Sequence, residues 1–86
     1  MVYQIRISKT AVKFLASIPK KDQEKIAERI KELAVNPRNE GVKKLVNVKP
    51  DTYRARQGDY RIRYHIYDKE LIVDVIDIDN RKNAYR

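Results

Sequence analysis

Cysteine is absent from this 86-residue chain and histidine occurs once, as His65. The first absence excludes a disulfide framework and a thiolate metal site, and the second leaves no cluster of imidazoles to hold a transition metal. Neither a metal nor another cofactor is expected. Long apolar runs are missing too: the apolar stretches are short and interrupted by charge, so no membrane-spanning segment is expected. The opening MVYQIRIS lacks the basic region followed by an apolar one that marks a secretory signal, which makes a cytoplasmic protein with no membrane partner the expectation. Acidic residues are in deficit, 12 Asp and Glu against 20 Lys and Arg, for a net charge of +8. A surplus of that size on one small domain, residues 1–86, favours polyanionic partners, nucleic acid first among them.

Charge alone is shared with many domains whose lysines are merely solvated, so its placement matters more than its amount. Between Lys43 and Arg63 stand seven basic residues and two acidic ones, a net +5 of the whole +8. Around that segment the hydrophobic period changes. VYQIRI, over 2–7, reads as a short strand rich in β-branched residues. Ser8 is placed to cap a helix in which Ala11, Leu15 and Ile18 recur with Phe14 beside them, ending at Ile18-Pro19. Pro19 suits the first turn of a second helix, Asp22 and Glu24 its positive end, and Ile26, Ile30 and Leu33 with Ala27 and Ala34 form its apolar stripe. Its other face, including Arg29, reads as solvated surface. Asn36-Pro37 stops it. Residues 37–52 read as loop around one short strand, anchored by Leu45, Val46 and Val48. From Tyr53 to Ile78 the period is two, in three successive antiparallel strands. The fold class expected is α+β, two N-terminal helices packed on one face of a small, mainly antiparallel sheet.

The hairpin carries the functional signal. If Gly58-Asp59 is a two-residue turn, Gln57 opposes Tyr60, Arg56 opposes Arg61, Ala55 opposes Ile62 and Arg54 opposes Arg63. Four arginines then share one face, while Ala55, Tyr60, Ile62, Tyr64 and Ile66 turn toward the helices. A second tight turn at Asp68-Lys69 sets Ile66 opposite Leu71 and Tyr64 opposite Val73, and gives Arg63 an acidic partner in Asp74. Arg54, Arg56 and Arg61 receive none. Like charges directly opposite cost about 0.2–1 kcal/mol, which an anion on that face would offset. Guanidinium forks match phosphate oxygens bidentately, so an RNA or DNA backbone is the natural ligand. Lys44 and Lys49 extend the basic surface, and His65 and Tyr67 fall on the arginine face, where they could stack on unpaired bases. Ile72 and Ile76 are expected there too, exposed beside the charged groove.

The chain ends DNRKNAYR, with Arg81 and Tyr85 four residues apart. The hairpin YRARQGDYRIRYHIY, the apolar strand after it and the Arg-x-x-x-Tyr ending together resemble the RelE branch of the RelE/ParE toxin superfamily over nearly the whole chain. The resemblance implies the toxin component of a type II toxin–antitoxin system. It implies an endoribonuclease that cuts mRNA in the ribosomal A site, inhibits translation and is silenced by a cognate antitoxin. Its partners would be that antitoxin, the ribosome and the mRNA. Carried over by motif, the catalytic residues would be Arg54, Arg56, Arg61, Arg81 and Tyr85, with Lys44, Lys49, Arg63 and His65 binding RNA. Two departures stand out: arginines replace a lysine pair common in the family's first hairpin strand, and Asn80 stands where many relatives carry histidine.

The implied chemistry is attack of a ribose 2′-hydroxyl on the neighbouring phosphate, which needs stabilised charge in the transition state and a proton acceptor and donor. Arginine supplies the first and is ill suited to the second, which leaves Tyr85, Lys49 and His65 as candidates. Two other readings fit the same pattern: a ParE-like poison of DNA gyrase without nuclease activity, and a nucleic-acid binding module that cuts nothing.

Overall fold

The computed structural model describes residues 2–80, in the order β1 (Gln4–Ile7), α1 (Lys9–Ala16), α2 (Lys20–Val35), β2 (Lys43–Lys44), β3 (Tyr53–Gln57), β4 (Tyr60–Tyr67) and β5 (Ile72–Asn80). Ser8 caps α1 as expected, its extended backbone letting Oγ accept from the Ala11 N–H at 3.1 Å. The same hydroxyl donates to the Ile76 carbonyl at 2.8 Å, which ties the helix start to β5. Pro19 lies one residue earlier than expected, as the N-cap of α2 rather than inside its first turn, and its carbonyl accepts from the N–H groups of Asp22 and Gln23. The Gln23 side-chain amide donates to the Leu15 and Ile18 carbonyls at 2.7 and 3.2 Å, fastening α2 to the end of α1. Asn36 ends α2 in an extended conformation, as a residue before proline must.

The five strands form one sheet in the order β1-β5-β4-β3-β2, with β1 parallel to β5 and every other pair antiparallel. Ala11, Ile26, Ile30 and Leu33 from the helices meet Ala55, Ile62, Tyr64, Val73, Val75 and Ile78 from the sheet in a single core. This is the expected α+β arrangement. Ala27 is exposed and falls outside the stripe assigned to it. Val46 is 82% exposed and Val48 is also on the surface, so of the three expected loop anchors only Leu45 is partly covered, while Val42 packs against the core instead.

Between β3 and β4 the two-residue turn forms, with Gly58 at φ +60°, a left-handed conformation that glycine adopts without strain. The pairing is the expected one: Arg54 opposite Arg63, Ala55 opposite Ile62, Arg56 opposite Arg61 and Gln57 opposite Tyr60.

Between β4 and β5 the expectation fails. The chain turns over Asp68–Leu71 rather than at Asp68-Lys69, and Ile66 faces Val73 and Tyr64 faces Val75. The wider turn is closed by the Leu71 N–H on the Asp68 carbonyl at 3.3 Å with Leu71 at φ +55°, while the Asp68 side chain bonds outside the turn: Arg38 donates to both its oxygens at 3.0 and 2.9 Å, and the Tyr3 hydroxyl donates to Oδ1 at 2.7 Å. A slip of two residues keeps each side chain on its face, so the core face survives with different partners.

A β-bulge follows. Tyr64 faces Val75 but Arg63 faces Asp77, leaving Ile76 as the extra residue. The sequence Val-Asp-Val-Ile-Asp-Ile-Asp alternates up to Val75 and again from Ile76, with a phase jump between them. The bulge absorbs that jump, sending Ile78 into the core and Asp77 and Asp79 to the opposite face.

Candidate nucleic-acid interface

On the face away from the helices, strand pairing lines up two rows of charge. One runs Lys43, Arg54, Arg63, Asp77 across β2, β3, β4 and β5, and the other runs Arg56, Arg61, Asp79 across β3, β4 and β5. All four hairpin arginines are therefore brought together, as the sequence predicts. Their partners are not those predicted. The two-residue slip and the bulge place Asp77, not Asp74, opposite Arg63, while Asp74 faces His65. Arg61, expected to lack an acidic partner, donates from Nε and Nη2 to the two oxygens of Asp79 at 2.9 and 3.2 Å. Arg63 donates from Nη1 to Asp77 at 2.6 Å and to Asp79 at 3.1 Å.

These contacts are partly shielded from solvent, the side chains of Arg61 and Arg63 being 17% and 24% exposed. Burial works to raise the Asp79 carboxyl, but hydrogen bonds from Arg61 and Arg63 outweigh it and hold the group below the usual carboxylate range. Asp79 is thus an anion shared by two cations. Arg56 is exposed and makes no side-chain ion pair among the described residues. The charge on this face grades from cationic on β2, β3 and β4 to carboxylates on β5.

The hairpin is held from below. Arg29 of α2, read from sequence as surface, is only 12% exposed, and its Nε donates to the Arg56 carbonyl at 3.3 Å. Tyr60 donates from its hydroxyl to Asp22 at 2.7 Å, anchoring the turn to the start of α2, and this bond to a carboxylate raises the phenol's pKa. Tyr64, fully buried, donates to the Pro37 carbonyl at 2.6 Å, and burial pushes its phenol up as well.

The family model for the ParE toxin of type II toxin–antitoxin systems (parDE) matches residues 5–85. The chain belongs to that toxin family. The toxin is 37% identical to Toxin RelE of Mycobacterium tuberculosis over 89 residues, covering 98% of this chain and 87% of the relative. It is 31% identical to Toxin RelG of the same organism, covering 100% of this chain and 99% of the relative. Among solved structures, a chain of the archaeal RelE–RelB complex from Pyrococcus horikoshii OT3 superposes with a TM-score of 0.81 at 34% identity, covering 94% of this chain and 97% of that one. The RelE-type toxin of the RelE/ParE superfamily that the hairpin and tail resemble is therefore what the relatives support.

Not every residue expected at the site lies on the arginine face. Lys44 faces Tyr53 on the other side of the sheet and is bonded to Asp51 at 3.2 Å, while its neighbour Lys43 shares the arginine face. A single residue of register in a two-residue strand separates these outcomes, and sequence contains nothing that fixes it. Lys49 lies exposed in the loop between β2 and β3, off the paired strands. His65 is on the arginine face, half-buried, with its ring edge toward Tyr67 at 6.4 Å. Ile72 and Ile76 are half-buried rather than exposed: Tyr67 lies across from Ile72, and Ile76 is the extra residue of the bulge, in phase with the core residue Ile78 instead of with the arginine face. Arg81 and Tyr85 lie outside the described residues. Sequence reasoning missed Lys43, Arg29, Asp77 and Asp79. The phase jump at Val75-Ile76 was the signal for the two aspartates.

Proposed function

We propose that this toxin is a ribosome-dependent mRNA endoribonuclease that inhibits translation and is neutralised by a cognate antitoxin in the cytoplasm. The observation that carries the reading is the gathering of Arg54, Arg56, Arg61 and Arg63, with Lys43, on one face of the sheet. Such a surface suits a phosphodiester backbone, and its guanidinium groups suit the charge that builds on phosphate oxygens when a 2′-hydroxyl attacks. Arg61 and Arg56 would stabilise that charge, with Arg54, Arg63 and Lys43 holding the flanking backbone. Proton transfer falls to His65, which shares the face, or to Tyr85 of the tail, where Arg81 would add a further cation. Lys49, off the face, is the weaker choice. A site without a strong acid and base pair depends on accurate placement of the RNA, which a ribosome would provide. The RelE–RelB complexes of relatives support an antitoxin as partner.

The test is to add the purified chain to translating ribosomes and map transcript ends, with gyrase supercoiling assayed alongside. The wild-type chain is expected to cut ribosome-bound transcripts and spare gyrase, and Arg61→Ala to cut about 10²-fold more slowly, the usual consequence of removing one oxyanion donor. Intact transcripts with inhibited gyrase would replace this reading with the ParE-like one, and neither effect would leave a binding module.

A further inference from the structure

The carboxylates of β5 do more than neutralise the arginines opposite them. A guanidinium carries five N–H donors in one plane, which pair into bidentate forks. Arg61 uses Nε and Nη2 on Asp79, so its fork between Nη1 and Nη2 remains available. Arg63 uses Nη1 on Asp77 and Asp79, so its fork between Nε and Nη2 remains. Among the described residues, each arginine is therefore gripped along one edge and keeps one phosphate-matching edge. We infer that Asp79 is a positioning residue, which sets the orientation of Arg61 and Arg63 toward one another and leaves one fork of each for the RNA backbone.

Three observations support this. Among the described residues Asp79 is the single group bonded to both arginines, so their relative orientation passes through it. The two arginines are alternate residues of β4, about 7 Å apart along the strand, and a shared anion between them also offsets their mutual repulsion. Lastly, the bulge at Ile76 is what brings Asp79 to this face; unbroken alternation from Val75 would put Ile78 opposite Arg61 and turn Asp77 into the core.

The inference rests on the proposed nuclease reading, and its test separates the two. Wild type, Asp79→Asn and Asp77→Asn are compared as full-length chains, first in ribosome-dependent cleavage at saturating ribosomes. Equilibrium binding to a short single-stranded RNA across a salt series and thermal unfolding are measured in parallel. Asparagine keeps the shape of aspartate but carries no charge, and with its carbonyl in the place of Oδ2, which serves both arginines, its amide nitrogen cannot accept the Arg61 Nε–H bond that Oδ1 takes. Asp79→Asn is expected to slow cleavage at saturation by about 10²-fold, the cost typical of a misplaced catalytic group. RNA binding should hold or tighten, because a negative charge has gone. Asp77→Asn, at a residue that among the described residues bonds Arg63 alone, should slow cleavage less. If Asp79→Asn cleaves as fast as wild type per folded molecule, or faster along with tighter binding, Asp79 is a simple ion pair or a brake and the inference is overturned. A wild-type chain that cuts nothing overturns the nuclease reading and the inference with it.

Discussion

Deleting Ile76 should leave a folded protein with every cross-strand pair between β4 and β5 intact. The register requires it. With Ile76 removed, Val75 still faces Tyr64, and Asp77, Ile78 and Asp79 follow in unbroken alternation opposite Arg63, Ile62 and Arg61. What is lost is the hydrogen bond from Ser8 Oγ to the Ile76 carbonyl, worth about 1 kcal/mol, and the packing of a half-buried isoleucine, worth about another 1 kcal/mol. The cap on α1 survives, because the Ser8 hydroxyl still accepts from Ala11. A loss of about 2 kcal/mol should lower the melting temperature by about 8–16 °C in a domain of this size. Circular dichroism melts would measure the loss, and cross-strand nuclear Overhauser effects between Arg63 and Asp77 would check the register. The opposite outcome is sharply different. If the phase jump is not the origin of the bulge, the bulge persists with Asp77 as its extra residue, and Asp79 is driven into the core opposite Ile62 as an unpaired carboxylate, a loss of about 3–5 kcal/mol that consumes most of the stability of a small domain. An unfolded variant, or one with Ile78 exposed, would refute the reasoning.

Three further perturbations test other joints of the fold. Tyr64→Phe removes the hydroxyl that serves the Pro37 carbonyl and should cost about 1–2 kcal/mol, read as a lower urea midpoint with unchanged slope; an unchanged midpoint would mean that the carbonyl had found another donor. Gly58→Ala should cost about 1–2 kcal/mol through its left-handed backbone alone, since a Cβ there meets no atom within 4 Å, and Gly58→Asn should cost less; equal stability of all three would exclude conformational strain. Hydrogen bonds from Arg38 and Tyr3 hold the Asp68 carboxyl at about 2, below its ordinary 3.8. The folded pKa is the lower one, so Asp68 contributes stability above about pH 4 that disappears as the pH falls toward 2, and Asp68→Asn should flatten the acid limb of the stability profile in that window.

The hairpin was legible because three signals agreed: Gly58-Asp59 fixed a turn, alternation fixed the faces, and the apolar set Ala55, Ile62 and Tyr64 admitted no other register. The helices were legible for the same reason, since Ser8 and Asn36-Pro37 bound apolar stripes of helical period. Beyond the hairpin, local signals were overruled by distant ones. Asp68-Lys69 suits a tight turn taken alone, yet the chain turns over Asp68–Leu71, with the Asp68 side chain bonded to Arg38 thirty residues earlier. The assignment of acids to arginines inherited that slip and then missed the bulge, so Arg61 lost its expected isolation. Lys43 and Lys44 could not be told apart because a two-residue strand carries no period of its own. The arginine face was thus readable in outline, and its carboxylate counterparts only in part.

The brevity of β2 also governs how the protein behaves beside other copies of itself. This strand forms the basic edge of the sheet, and its unpaired backbone groups span two residues, about 7 Å, each carrying an exposed lysine. A strand from a neighbouring molecule would find few hydrogen-bonding partners along that length and would have to approach ammonium groups of the same sign as most of its own surface. Short, lysine-bearing edges of this kind resist the edge-to-edge pairing that leads to aggregation. This border of the sheet, the one beside the arginines, is therefore a poor template for pairing with further copies of the chain.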